Sequence, residues 1–244
     1  MDVLFIGDIH GRDDWKDIAY EALPKFYKIV FLGDYVDSFD ISGVEILHNL
    51  KEIIEFKKKY SDKVTLLYGN HDFAYINNYS NISGYKINMY QEYKKIFRDN
   101  HDLFKIAWGY TNPYSKKYTL ATHAGLTRTY YNNYILTKLK DPESKLYKLI
   151  DGNIEGFELH DFLNFLKDNE ILWKIGSVRG GVGTPGPLWA DHRELLHDPY
   201  PYINQVFGHT ASGTVCVTQL DDYFLAKIDG YPRGEKTANM MISL

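Results

Sequence analysis

Val3-Leu4-Phe5-Ile6-Gly7-Asp8-Ile9-His10-Gly11 sets the terms on which the rest of the chain is read. Four consecutive apolar residues read as a short buried strand, and they give way at once to Gly, Asp and His. The same transition recurs along the chain. Lys28-Ile29-Val30-Phe31-Leu32 runs into Gly33-Asp34-Tyr35-Val36-Asp37, and Val64-Thr65-Leu66-Leu67-Tyr68 runs into Gly69-Asn70-His71-Asp72. A strand pattern over 117–122 ends at His123-Ala124-Gly125, and one over 202–207 ends at Gly208-His209-Thr210. Asp, Asn and His bind cations and move protons, and Gly beside them allows tight turns and close backbone approach. In α/β sheets ligands collect outside the carboxyl ends of the strands. These strand ends therefore predict one site built along one edge of a sheet.

Helical patterns fill the gaps between the first three strands. Asp13-Asp14-Trp15 opens one helix, and residues 43–60 form a second. That second helix has Val44, Leu47, Leu50, Ile53 and Ile54 as its apolar stripe and Lys57-Lys58-Lys59 at its negative end. The alternation predicts a parallel βαβαβ core. Residues 73–110 read as mostly helical, and 129–175 as helical and loop-like with turns at Asp141-Pro142 and Asp151-Gly152. Residues 176–186 form a glycine-rich, flexible stretch. Short strands at 202–207, 214–219, 223–228 and 239–244, with glycine-containing turns, read as antiparallel hairpins. No repeat or linker interrupts the pattern. The expectation is one α/β domain over 1–244, with helical insert segments at about 73–110 and 129–175.

Composition removes several classes of function. Lys and Arg number 28 against 32 Asp and Glu, a net charge of −4, so no general basic field favours stable nucleic-acid binding. The single Cys216 rules out an intramolecular disulfide and reads as a small core residue within Thr214-Val215-Cys216-Val217. No apolar run approaches the roughly 20 residues of a membrane span. The short run after Met1-Asp2 lacks the basic leader of a signal peptide, so a cytoplasmic location with no membrane partner is expected. The 21 tyrosines read as surface and half-buried packing residues.

The residue types then suggest chemistry. Asp8 and His10 are two apart, and in an extended segment both would face one ion. Asp34, at the next strand end, has two carboxylate oxygens and can bridge two ions, while Asn70 adds a neutral oxygen and His123 and His209 add imidazoles. Mixed oxygen and nitrogen donors suit two divalent ions, Mn first and Fe, Zn or Ni as alternatives, rather than Ca. Two such ions about 3.5–4 Å apart clamp a phosphate and activate water. His71, beside Asn70, is placed to donate a proton to a leaving group, with Asp37 holding its ring. Asp72 reads as a brace for the loop. His101, His160, His192 and His197 fit no ligand position.

Taken in order, Gly7-Asp8-Ile9-His10-Gly11, Gly33-Asp34 to Asp37, Gly69-Asn70-His71-Asp72, His123 and His209 resemble the motif series of the calcineurin-like metallophosphoesterases. The likeness is greatest to the protein Ser/Thr phosphatase and diadenosine tetraphosphatase branch. The resemblance implies two packed mixed sheets flanked by helices, with a dinuclear site at the strand-end loops. It implies Asp8, His10 and Asp34 on one ion, and Asp34, Asn70, His123 and His209 on the other. It also implies His71 as general acid oriented by Asp37, and direct attack by a hydroxide held between the ions. The implied activity is hydrolysis of phosphomonoesters, with a phosphorylated protein as substrate. A nucleotide substrate is the alternative, and a catalytically silent scaffold a further one. The chain departs from the protein phosphatases in two places: Ser38 and Phe39 stand where they have Arg-Gly, and Asp72-Phe73-Ala74 lacks a following arginine. Gly208-His209-Thr210-Ala211 lacks the second histidine of the phosphodiesterase branches, which favours the phosphatase branch. Phosphate donors must then come from elsewhere, in the order Arg179, Arg193 and Arg12.

Overall fold

In strand β1 (Asp2–Ile6) the side chains sort by parity, as the two-residue period of a strand requires. Val3 and Phe5 enter one apolar cluster, and Leu4 and Ile6 another. Strands β2 (Lys28–Phe31) and β3 (Val64–Leu67) continue the sorting. Ile29, Phe31, Val64 and Leu66 lie with Leu4 and Ile6, while Val30 and Leu67 join Val3 and Phe5. Parallel strands buried on both faces need apolar residues at nearly every position, and this explains the unbroken runs in the sequence.

The computed structural model describes residues 2–141, 143, 144, 147, 158–211, 214–229 and the backbone of 239–243. Helices α1 (Trp15–Ala22) and α2 (Gly43–Lys59) cover the first face through Trp15, Ala19, Ile46, Leu50 and Ile53. A capping box starts α2: Glu45 N–H donates to Ser42 Oγ at 3.3 Å, and Ser42 N–H donates to Glu45 Oε2 at 3.1 Å. The buried stripe of α2 runs through Ile46, Asn49, Leu50, Ile53, Ile54 and Phe56. Val44, expected on it, is 70% exposed because its place on the helical wheel turns it outward. Asn49 sits in the core with its polar groups satisfied, accepting from Trp15 Nε1 at 2.9 Å and donating to the Arg12 carbonyl at 2.7 Å.

After β3 come α3 (Asn70–Asn77) and α4 (Tyr90–Asp99), followed by β4 (Phe104–Lys105), β5 (Ala107–Thr111) and β6 (Tyr118–Thr122). Helix does not reach residue 110, as the sequence pattern predicted. Phe104 to Thr111 is drawn into strands by pairing with β3 and β6. The remaining strands are β7 (Asn204–Phe207), β8 (Cys216–Leu220), β9 (Tyr223–Lys227) and β10 (Asn239–Ser243). They form two five-stranded sheets, ordered β10-β1-β2-β3-β4 and β5-β6-β7-β9-β8. Val3, Phe5, Val30, Leu67, Trp108 and Ala121, drawn from both sheets, form the core between them.

The C-terminal strands are only partly the hairpins expected. β8 and β9 form one, but β7 runs parallel to both β6 and β9, and β10 joins the first sheet antiparallel to β1. Cys216 is half-buried rather than in the core, because β8 is the outer strand of its sheet. Tyr35, Tyr68, Tyr75, Tyr93 and Tyr130 are fully buried, against the surface reading of the tyrosines. Ring packing such as Tyr68 on Phe104 (centroids 4.8 Å apart) accommodates them. Within 129–175, helical turns span Arg128–Lys140, Leu159–Phe165 and Glu170–Trp173; Pro142 and the Asp151-Gly152 turn lie outside the described residues. The glycine-rich stretch is tied by backbone bonds, Gly181 N–H to Gly176 O at 2.9 Å and Gly186 N–H to Lys174 O at 2.7 Å. Among the described residues no helix is long and apolar enough to cross a membrane.

Candidate active site

Parallel pairing brings the strand ends together. β1, β2 and β3 run side by side, as do β6, β7 and β9. Asp8, Asp34 and Asn70 follow the first three strands, and His123, His209 and Asp229 follow the second three. A cavity of about 680 Å³ opens on these residues, and His123 lies buried behind its wall.

Asp34 is the hub. Its Oδ2 lies 3.7 Å from His10 Nε2, 4.0 Å from His71 Nε2 and 3.4 Å from His123 Nε2. Asn70 Oδ1 is 2.9 Å from both His123 Nε2 and His209 Nδ1. Asp8 Oδ1 is 4.0 Å from His123 Nδ1, and the Asp8 carboxylate accepts the His209 N–H at 3.1 Å. Ligand-type atoms of His10, Asp34 and His71 converge within 4.8 Å, as do those of Asp34, His123 and His209, so Asp34 belongs to both groups.

The rings are oriented from behind. His10 Nδ1 meets the carbonyls of Val36 (3.0 Å) and Asp37 (2.8 Å), and His123 Nδ1 meets that of Leu32 (2.9 Å). A carbonyl only accepts, so each Nδ1 carries a hydrogen and each Nε2 is turned toward Asp34. His209 Nε2 is buried with no partner among the described residues. A set of carboxylates, one amide oxygen and oriented imidazoles fits Mn, Fe or Zn.

Local backbone places these groups. His10 (φ 45°), Asp34 (52°), Asp37 (64°) and His209 (66°) all adopt left-handed conformations. The segment through His10 is therefore a turn and not the extended run expected, yet Asp8 and His10 still line the same cavity. Asp72 braces the Asp34 turn, accepting the N–H groups of Asp34 and Tyr35 at 2.8 Å and Gly69 at 2.9 Å. The glycines allow close approach: a Cβ on Gly69 would stand 2.0 Å from Asp34 Oδ1, and one on Gly208 2.1 Å from Asp8 Oδ1.

Charge is crowded here. Burial disfavours imidazolium at His123, but Asp34 and Asp8 outweigh it and carry its pKa up to about 10. Burial also opposes ionisation of Asp34, yet His123, His71 and His10 hold its carboxyl well below the usual range. Burial and Asp229 push Asp8 up, and burial brings Asp229 to about 6 against the pull of His10. Burial and the His123 charge press His209 well below its ordinary value.

His71 faces Asp34 with one nitrogen and Asp37 with the other, its Nδ1 2.9 Å from Asp37 Oδ2. Burial lowers its pKa, but Asp34 and Asp37 win and the net shift is upward. Tyr75 Oη donates to the second Asp37 oxygen at 2.5 Å and accepts the Lys86 N–H at 3.0 Å. Of the arginines, Arg179 and Arg12 line the cavity and Arg193 does not. Arg193 is exposed, with its Nε donating to Asp191 Oδ1 at 2.8 Å. One turn of the His192–His197 helix points it away from the cavity, a direction the nearby Trp-Ala-Asp sequence does not reveal. Arg179 is held by Asp191 Oδ2 (3.1 Å) and Thr210 Oγ1 (2.9 Å).

Sequence reading missed Asp229 and Tyr75. Asp229 carried a usable signal, since the strand run Leu225-Ala226-Lys227-Ile228 ends at Asp229-Gly230 just as the earlier runs end.

A profile of the calcineurin-like phosphoesterases matches residues 1–217. The chain belongs to that family. Among solved structures, the cold-active protein-tyrosine phosphatase of a psychrophilic Shewanella shares the fold at 15% identity and a TM-score of 0.52, over 98% of this chain and 74% of that one. The E. coli phosphoesterase YfcE is more remote, at 12% identity and a TM-score of 0.41, over 100% of this chain and 88% of its own. The calcineurin-like fold expected from the motifs, two mixed sheets flanked by helices, is the one observed.

Proposed function

We propose that this protein is a metal-dependent phosphomonoesterase of the Ser/Thr protein phosphatase type. Asp8, His10 and Asp34 would hold one divalent ion, and Asp34, Asn70, His123 and His209 the other, with manganese the first choice. When bound, such a pair neutralises phosphoryl charge and lowers the pKa of nearby water. The chain's own side chains do the rest. Arg12 and Arg179, on the cavity wall, offer guanidinium donors to phosphate and take over from the arginine that Ser38 replaces. His71 gives its Nε2 proton to the leaving oxygen. Asp37 holds the opposite nitrogen and favours the protonated ring, and Tyr75 fixes Asp37 in turn.

The observation that carries this reading is the seating of the His71–Asp37 pair beside Asp34, which stands in both converging groups, His10–Asp34–His71 and Asp34–His123–His209. The test is turnover of nitrophenyl phosphate and a phosphoserine peptide after chelation and after adding back Mn²⁺. Activity restored by the metal, with the peptide preferred over diadenosine tetraphosphate, is the expected outcome. The reverse preference would establish nucleotide hydrolysis instead. Phe39 favours that second reading, being 75% exposed on the cavity rim where its ring can stack on a base. No turnover of any phosphoester, with two ions bound, would leave a silent scaffold.

A further inference from the structure

The two candidate cation groups are unequal in the sequence reading. One has Asp34, Asn70, His123 and His209, whereas the other has only Asp8, His10 and Asp34. Strand order supplies a further donor to the poorer group. β9 lies parallel to β7, and Ile228 N–H donates to Phe207 O at 2.8 Å, so the chain leaves β9 alongside the turn that carries His209. The next residue is Asp229, only 5% exposed and part of the cavity lining. Its carboxyl hydrogen-bonds the side chain of Asp8, and His10 lines the same cavity. Both neighbours belong to the poorer group. Two buried carboxyls in hydrogen-bond contact share a proton, and a dication bound between them would take that proton's place. The location also follows the rule that places the other donors, at the carboxyl end of a strand parallel to its neighbour.

We propose that Asp229 is a ligand of the cation held by Asp8, His10 and Asp34, completing that position with a third carboxylate. The inference rests on reading those three residues as a cation site, and it is independent of which phosphoester is cleaved.

The test is metal binding to this chain, followed by Mn²⁺ titration with metal analysis and by the electron paramagnetic resonance of bound Mn²⁺. Wild type should take up two ions and show the signal of a spin-coupled pair. Asp229→Asn keeps a hydrogen-bonding group next to Asp8 but removes the charge. It should weaken one of the two ions by about 10–100-fold, leaving an uncoupled Mn²⁺ signal at intermediate metal concentrations. Thermal melting of the chelated protein checks that the variant folds. Asp229→Asn binding two ions with wild-type affinity would overturn the proposal. So would loss of affinity in Asp229→Ala but not in Asp229→Asn, which would make Asp229 a support for Asp8 only. A wild-type protein that binds two coupled ions but cleaves no phosphomonoester would refute the proposed activity and leave this assignment standing.

Discussion

The two sheets build their shares of the pocket by different means. The first delivers Asp8, Asp34 and Asn70 from three neighbouring parallel strands within the first third of the chain, and all three donors are oxygens. The second delivers His123, His209 and Asp229 from strands whose positions in sequence are far apart, and its first two donors are nitrogens. The oxygen side opens on the cavity, while His123 is sealed behind it. A pocket assembled this way mixes hard oxygens and softer imidazoles from two halves that join at Asp34.

Removing the joint should have the largest effect. Asp34→Ala takes a donor from both proposed cation positions, so turnover should fall by at least about 10⁴-fold and both ions should be lost on dialysis, as metal analysis and a phosphomonoester assay would show. Equal loss in a variant touching one half only, such as His209→Ala, would break the picture of two halves meeting at one residue. Next comes His71, the proposed proton donor. His71→Asn should lower kcat by roughly 10²–10⁴-fold while both ions stay bound.

A subtler change separates the donor from its support. Asp37 raises the pKa of His71 and is not among the cation donors, so its influence persists when ions compensate Asp34. The acid must be protonated to act, so activity falls as pH rises through the His71 pKa. Asp37→Asn removes one of the groups holding that pKa up, and the alkaline limb of the kcat profile should move to lower pH. An unmoved limb would detach Asp37 from the acid. The smallest effects concern the arginines. Arg179→Ala should raise KM by about tenfold through loss of a charged hydrogen bond to phosphate. Arg193→Ala, on an exposed side chain outside the cavity, should leave kcat/KM within about twofold.

How much could be read from the sequence follows the same division. Asp8, Asp34, Asn70 and His71 were legible because a short apolar run and a polar turn are both local signals. The parallel order of β1, β2 and β3 was legible because helices separate them. The role of β7 was not. Nothing local distinguishes a strand that pairs with its neighbour in sequence from one that pairs with β6, more than eighty residues earlier. Reading hairpins there turned Asp229-Gly230 into an ordinary turn and hid a cavity residue. Val44 and Arg193 failed for a related reason: composition places a residue on a helix, but only packing decides which way it points.

Four of the pocket's functional positions hold left-handed backbone without being glycine. Replacement there is filtered twice, by chemistry and by conformation, and asparagine and glycine pass the second filter most easily. Mutational drift through His10, Asp34, Asp37 or His209 is therefore channelled toward residues that preserve the loops but abolish their reactivity. A descendant released from selection for hydrolysis would keep the outline of its cleft long after its chemistry had gone, ready to be recruited for recognition alone.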